Sequence, residues 1–397
     1  MTATERRSSA SLALIFALRM LGLFLVLPVF ALEARRLPGG DDPALVGLAM
    51  GIYGLTQGML QIPFGMASDR FGRKRVMVVG LVIFAAGSLM AGMADTLQWL
   101  TIGRALQGAG AISAAVTALL ADQTRDEVRT KAMAMVGASI GLMFALSLVL
   151  SPLLAAWIGL GGIFLLTGLL ATAGIAVVLW WVPPEPREHK PAGRGGLGQV
   201  LRMPALLRLN LGVFLLHAVQ LAMWMAVPTL LVDAGLPKDR HWQIYLPAVL
   251  LSFGVMGATL FPLERKGYLR AVFLSAIGLI TLVQLGLWAV APAPGLVSLA
   301  LCLFVFFCGF NVLEASQPSM ASRTAPAAVR GTALGVYNTL QSLGFFAGGA
   351  IGGTLVKQVG VRGLLMTCTL AMLVWLVVAW PMEAPAPTAR GAAPKAG

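Results

Sequence analysis

Long apolar stretches separated by short polar connections run along the whole chain. They do not alternate with the period of two expected of a barrel strand. They are continuous over about 20 residues, the length that crosses a hydrocarbon core of about 30 Å as a helix. The pattern predicts twelve spans, over 10–32, 44–67, 75–94, 97–121, 132–157, 160–182, 206–232, 242–263, 269–291, 295–320, 331–357 and 361–382. The longest interior connection, 183–205, runs from Pro183-Pro184-Glu185 through Gly193-Arg194-Gly195-Gly196 and has the composition of a linker. The predicted organisation is a six-helix bundle (1–182), a linker (183–205), a second six-helix bundle (206–382) and a disordered tail (383–397). The fold class expected is an all-α integral membrane protein of two pseudo-symmetric bundles.

Composition agrees with this reading. The chain is 58% hydrophobic and 11% charged, with a mean hydropathy of +0.84. A soluble domain carries about 25% charged residues, so too little polar surface remains here to face water. The first apolar run follows Arg6 and Arg7 and ends near Ala31-Leu32-Glu33-Ala34, a faint cleavage-site pattern. It is longer than the h-region of a signal peptide, about 7–15 residues, and reads as an uncleaved first span. The three cysteines, Cys302, Cys308 and Cys368, lie inside apolar runs without metal-ligand spacing, and no metal is expected.

The net charge of +13 could suggest nucleic acid, but its placement argues for topology. With the N-terminus in the cytoplasm, 21 Lys and Arg fall inside and 6 outside, leaving Arg19 and Arg104 within the membrane. The expectation is therefore a multi-pass inner (plasma) membrane protein with both termini, linker and tail cytoplasmic. No basic patch is left over for nucleic acid. The halves also echo each other. Asp69-Arg70-Phe71-Gly72 after span 2 matches Glu264-Arg265-Lys266-Gly267 after span 8, and Arg129-Thr130-Lys131-Ala132 matches Arg330-Gly331-Thr332-Ala333. Duplicated six-span halves are a transporter architecture.

Charged groups deep in a membrane are costly and mark functional sites by default. Arg19, Arg104, His217 and Glu314 fall in spans 1, 4, 7 and 10, the first helix of each three-helix unit. Arg19 sits near the middle of its span, where snorkelling is difficult, and reads as a cavity residue. His217 reads equally as a packed neutral imidazole or a proton carrier. Glu314 carries either a transferable proton or a structural ion pair with Arg19. Arg104 suits binding or stabilisation, because guanidinium does not deprotonate at ordinary pH.

The run Gly65-Met66-Ala67-Ser68-Asp69-Arg70-Phe71-Gly72-Arg73-Lys74-Arg75 packs one carboxylate, four cations and two glycines into a tight connection. Its cations serve as a positive-inside anchor, which leaves Asp69 and the glycines unexplained. Asp69 at the end of span 2 can pair with arginine or with a helix N-terminus. Gly65 permits close helix approach and Gly72 a tight turn. Such a clasp would hold one conformation and release in another, with Gly65, Asp69, Arg70, Gly72, Arg73 and Lys74 as its residues.

This run resembles the loop 2–3 signature of the major facilitator superfamily, G-x-x-x-D-R-x-G-R-[KR]. Arg104-Ala105-Leu106-Gln107-Gly108-Ala109-Gly110 resembles the family's R-x-x-Q-G-x-G element. Ser147, Ser151 and Pro152, with Ala155-Ala156, resemble the antiporter motif of helix 5 with small residues replacing its glycines. Leu21-Gly22 and Pro28-Val29 resemble the drug:proton antiporter pattern of helix 1. The likeness spans nearly all twelve segments. One such antiporter carries a small soluble domain after its last span, where this sequence has only its short tail.

The resemblance implies that spans 1, 4, 7 and 10 line a central cavity. It also implies that Arg104 takes part in proton transfer and that Asp69 meets the start of helix 11, around Gly331 and Thr332, in the outward-facing state. The function implied is secondary active transport, as proton-coupled efflux of a small amphiphilic molecule or drug by alternating access. A uniporter or symporter of a small metabolite uses the same fold. A membrane sensor or scaffold has no need to bury these charges. The absence of G-x-x-x-x-G-K-[ST], H-E-x-x-H and any triad argues against an enzyme or an ATP-driven pump. The partners expected are a small-molecule substrate, protons and the bilayer. The energy source is the proton gradient, no cofactor is expected, and the chain is expected to be monomeric. Gln57, Gln61, Trp224, Met225, Asn311, Tyr337, Asn338 and Gln341 would suit a partly apolar, hydrogen-bonding cavity, or would serve as helix-packing residues.

Overall fold

The structure is a computed structural model that describes residues 1–185 and 196–383. The middle of the predicted linker, 186–195, and the predicted tail from 384 onward lie outside the described residues. Among the described residues the chain is helical throughout, with no strand. The first half consists of α1 (Ala3–Phe24), α2 (Leu27–Glu33), α3 (Pro43–Phe71), α4 (Arg73–Gly92), α5 (Leu97–Ala109), α6 (Ser113–Asp122) and α7 (Asp126–Ala176). The short α8 (Leu197–Val200) leads into α9 (Pro204–Asp233), α10 (Trp242–Arg265), α11 (Leu269–Val290), α12 (Leu296–Thr324) and α13 (Arg330–Ala379).

Ten helical stretches among the described residues are long and apolar enough to cross a membrane, two fewer than the sequence pattern predicts. The difference lies in α7 and α13, of 51 and 50 residues. At 1.5 Å per residue each would run roughly 75 Å, more than twice a hydrocarbon core. Each reverses at one glycine, Gly159 (φ 67°) and Gly360 (φ 72°), in the left-handed region that a side chain disfavours. Contacts on either side of the turns show the hairpins. Ser151 and Thr167, from the two arms of α7, donate to the Leu25 and Gly22 carbonyls at 2.6 and 3.1 Å. Gly344 in the first arm of α13 abuts Phe214, and Trp375 in the second abuts Gly212. The two hairpins thus supply four spans. Spans 1 and 4 are broken as well, at Leu25-Val26 and at Gly110-Ala111-Ile112.

The sequence halves form two bundles that meet along α3 and the first arm of α13. Gly47 and Gly51 face Gly353 and Phe346 so closely that an added Cβ would stand 2.7 Å from the Gly353 Cα and the Phe346 carbonyl. Backbones this close are a known mode of helix association where lipid offers no hydrophobic drive. Phe144 of α7 crosses to Phe307 and Phe310 of α12 at 6.1 Å between centroids. The large apolar side chains left exposed, such as Trp157, Val297 and Val377, are those a bilayer would cover.

The two faces of the bundle differ. On the face opposite the N-terminus, Lys238 bonds Glu33 and Lys357 reaches Asp42 at 2.8 Å, both joining one half to the other. On the basic face, which carries the N-terminus and the 65–75 run, the ion pairs Arg73–Asp69, Arg73–Asp122, Arg125–Glu5 and Arg323–Glu264 each stay within one half. The face opposite the N-terminus, latched between the halves, is the closed face.

Candidate functional site

Two polar clusters occupy the middle of the bundle. In the first half, Arg19 is buried (1% exposed) and its guanidinium donates to Ser113 Oγ (3.0 Å), Tyr53 OH (2.7 Å) and Gln57 Oε1 (3.0 Å). It also lies over the Phe84 ring at 5.6 Å. The break between α5 and α6 places Ser113 at the start of α6, within reach of this arginine. Arg19 thus forms no pair with Glu314; its partners all come from its own half.

Arg104 is equally buried. It donates to Gln107 Oε1 (3.0 Å), the Met50 carbonyl (3.1 Å) and the Ala49 carbonyl (3.4 Å), between the Tyr53 and Phe164 rings. Gln107 in turn donates to Ser88 Oγ at 2.8 Å. The i, i+3 spacing of the R-x-x-Q element puts both side chains on one helix face, where they knit α5 to α3 and α4.

In the second half, His217 and Glu314 meet. His217 Nδ1 lies 2.8 Å from the Val213 carbonyl, which can only accept, so Nδ1 carries the proton. Its Nε2 is 3.3 Å from Glu314 Oε2 and 2.8 Å from the Gln341 side-chain nitrogen. That same nitrogen reaches Glu314 Oε1 at 3.4 Å. His217 is packed edge-on against Phe345 and Phe310, whereas the Glu314 side chain is 39% exposed. A carboxylate open on one side and held against an imidazole on the other can exchange a proton with water and pass it to a neighbour.

The other cavity candidates divide. Gln57, Asn338 and Gln341 are half-buried near the two clusters. Trp224 is fully buried and packs edge-on against Tyr245, with Met225 buried beside it in the second bundle. Gln61 is buried too. Asn311 is spent on Ser252 Oγ (2.8 Å) and Tyr337 on Gln317 Oε1 (3.2 Å). These five pack helices in this conformation. Of the helix 5 motif, Ser151 bridges to α1, Ser147 donates to Phe144 of its own helix, and Pro152 is tolerated inside α7.

The 65–75 run forms a clasp within its own half. Gly72 (φ 97°) turns the chain between α3 and α4. Arg73 pairs with Asp69 and with Asp122 (3.2 Å), and donates to Ser68 Oγ (2.8 Å). Arg70 is exposed and lies over the Phe71 ring. Gly65 comes within ordinary contact of Ala114. Asp69 is paired with Arg73 of its own half, and a Cβ added at Gly331 would meet nothing within 4 Å. Sequence reasoning missed one member, Glu185. Its carboxylate accepts from the backbone N–H groups of Arg73 (3.0 Å) and Lys74 (2.6 Å), capping α4 across 112 residues of chain. Lys74 closes the same corner on the Val182 carbonyl.

Among the described residues no group of His, Cys, Asp and Glu is arranged to hold a metal ion. A pocket of about 250 Å³ lined by Leu32, Glu33, Arg36, Val232 and Lys238 lies at the closed face, away from both clusters.

Two bundles, a broken first span and the 65–75 clasp define a secondary-transporter fold, and the family profile described as Major Facilitator Superfamily matches residues 12–349. The chain belongs to that superfamily and is a multi-pass membrane transporter, not an enzyme. It is 42% identical over 389 residues to the Inner membrane transport protein YajR of Escherichia coli K12, covering 97% of this chain and 85% of that one. It is 27% identical to Multidrug resistance protein MdtH of Aeromonas salmonicida, over 89% of this chain and 88% of that relative. The fold also matches crystal structures of the human organic anion transporter MFSD10 (TM-score 0.70, 18% identity, 94% and 99% of the two chains) and the nucleoside transporter NupG (0.73, 14%, 94% and 98%).

Proposed function

We propose that the protein exports a small amphiphilic molecule in exchange for protons, by alternating access. The observation that carries this reading is the half-exposed Glu314 carboxylate within 3.3 Å of His217 Nε2, inside the membrane span. By the distribution of Lys and Arg, the basic face is cytoplasmic, and with the opposite face latched between the halves the conformation reads as inward-facing. The Gln341 side-chain nitrogen, which can only donate, lies 2.8 Å from His217 Nε2 and supports a lone pair there, the arrangement of a pair ready to take up a proton. The aromatic and aliphatic lining around His217 favours an apolar body on the substrate, and the relatives named for multidrug resistance point the same way.

The test uses purified protein in proteoliposomes with an imposed pH gradient and ethidium as the first amphiphilic probe, lumenal pH being followed by fluorescence. Dye-evoked proton flux in the wild type that is lost in Glu314→Gln is the expected result. Dye counterflow that persists equally without a gradient, in both proteins, would overturn proton coupling and assign uniport.

A further inference from the structure

The two mid-membrane clusters are joined through consecutive residues of α13. Gln57 must turn its oxygen to Arg19, which can only donate, so its nitrogen faces Ser342 Oγ, 3.1 Å away. The Ser342 hydroxyl itself donates to the Asn338 carbonyl (3.0 Å). The next side chain back, Gln341, is rotated by about 100° around the helix. It therefore points into the second half, to His217 and Glu314, while Ser342 points across the seam. One turn of α13 thus bonds both polar clusters. Gln57–Ser342 crosses between the halves along the close α3–α13 seam, beside Gly54 and its neighbour, the Ser342 backbone.

The Gln341 amide fits one protonation state. The Gln341 nitrogen can only donate and lies 2.8 Å from His217 Nε2, so Nε2 holds a lone pair. The two hydrogens of the Gln341 nitrogen then serve Nε2 and Glu314 Oε1 at once. One added proton ends this. Placed on Nε2, it sets an N–H against the amide N–H. Placed on Glu314 Oε2, it directs a hydroxyl at the lone pair that Gln341 occupies. In either case the amide must turn its oxygen inward or withdraw, and the proton is retained between Nε2 and Oε2. Tyr337 of α13 is within electrostatic reach of Glu314. The buried Arg19 and Arg104 are committed to partners in the first half.

We propose that Gln341 is a positioning residue that registers the proton on the His217–Glu314 pair, and that Ser342 transmits its movement to the α3–α13 seam through Gln57. The proposal rests on the proton-coupled reading above. It goes further in naming the residues through which occupancy in one half is felt by the other. Loss of the amide bridge on protonation loosens the seam, so the face opposite the N-terminus opens as pH falls.

The test needs no substrate. Spin labels are placed on exposed loop positions of that face, Asp41→Cys in the first half and Ala293→Cys in the second, with the three native cysteines replaced by alanine. Interlabel distances are then measured in lipid nanodiscs between about pH 8 and pH 5, the range in which an imidazole–carboxylate pair titrates. In the background chain the distance distribution lengthens as pH falls. Gln341→Met keeps the volume but removes both amide groups, and shifts the midpoint by about one pH unit or abolishes the transition. Gln341→Asn, which keeps an amide, restores part of it. Ser342→Ala leaves the midpoint in place and raises the open population at every pH. A pH-sensitive background chain with Gln341→Met unchanged would overturn the role of the amide and leave proton coupling standing. A background chain with no pH response would overturn both.

Discussion

The two halves use their buried charge in opposite ways. In the first half Arg19 and Arg104 are almost wholly enclosed, and most of their hydrogen bonds and ring contacts go to hydroxyls, amides, carbonyls and aromatic faces of that half. In the second half Glu314 is partly open and its best partner is a titratable imidazole. A guanidinium keeps its proton under any physiological condition, so the first cluster is a fixed charge that organises helices. A carboxylate beside an imidazole has two low-cost protonation states, so the second is where occupancy can change. The halves share an architecture, and on the proposed function they divide the labour, one holding the bundle together and the other exchanging protons.

Paired substitutions would break that comparison most sharply. Arg104→Ala removes the group that ties α5 to α3 and strands Gln107, and is expected to cost roughly 2–4 kcal/mol of stability. Glu314→Gln is isosteric and half-exposed, so it should shift the melting transition by less than about 1 kcal/mol in equivalent stability, while removing the pH response. Thermal unfolding in detergent, read beside proton flux, distinguishes the two. Equal loss of stability in both variants would show that Glu314 is as structural as Arg104, and the division of labour would fail.

A smaller effect is expected at the seam. At Gly51 a new Cβ would stand 2.7 Å from the Phe346 carbonyl, a backbone atom that cannot swing aside. Gly51→Val should therefore disfavour the closed face by roughly 1–3 kcal/mol, the usual cost of overpacking. A thiol reagent applied from that side, against a cysteine placed at the half-buried Leu45, should react faster in the variant than in the parent. Unchanged reactivity would mean that the seam yields elsewhere, and that α3 and α13 do not control access.

Much of this architecture was legible in the sequence. Span length and continuity mark the helices, because a membrane-crossing segment must be apolar along its full length and must bond its own backbone. Counting ionisable residues within spans singled out Arg19, Arg104, His217 and Glu314. The pairing was harder to read. Glu314 and Arg19 are opposite charges at similar depth, yet each finds a partner in its own half, since α12 faces α9 and α13 while α1 faces α3 and α6. Nothing in span counting reports helix rotation, and for the same reason Trp224 and Asn311 were indistinguishable from cavity residues. Glu185 was missed because a helix cap 112 residues away leaves no local pattern. The expected meeting of Asp69 with the start of α13 belongs to a conformation in which the basic face is shut, and motif spacing does not encode which face is open.

The smallest effect expected is at the closed face, and it isolates the source of any pH response. Asp42 is held below its ordinary carboxylate range, first by the Lys357 ammonium that donates to it and then by the Ala44 backbone N–H. A lowered value means that the ionised form is favoured in the assembled structure. The contribution is therefore complete above the unperturbed value of 3.8 and is lost only as pH falls through the lowered one. Both partners are substantially exposed, so the pair contributes little and weakens with salt. If the proposed mid-membrane pair is the sensor, Asp42→Asn should lower closed-face occupancy slightly at every pH from about 8 to 5 and leave the pH response in place. If the substitution removed that response, the latch rather than the mid-membrane pair would be the proton sensor, and the contrast between a fixed and a titrating half would have to be redrawn at the membrane surface.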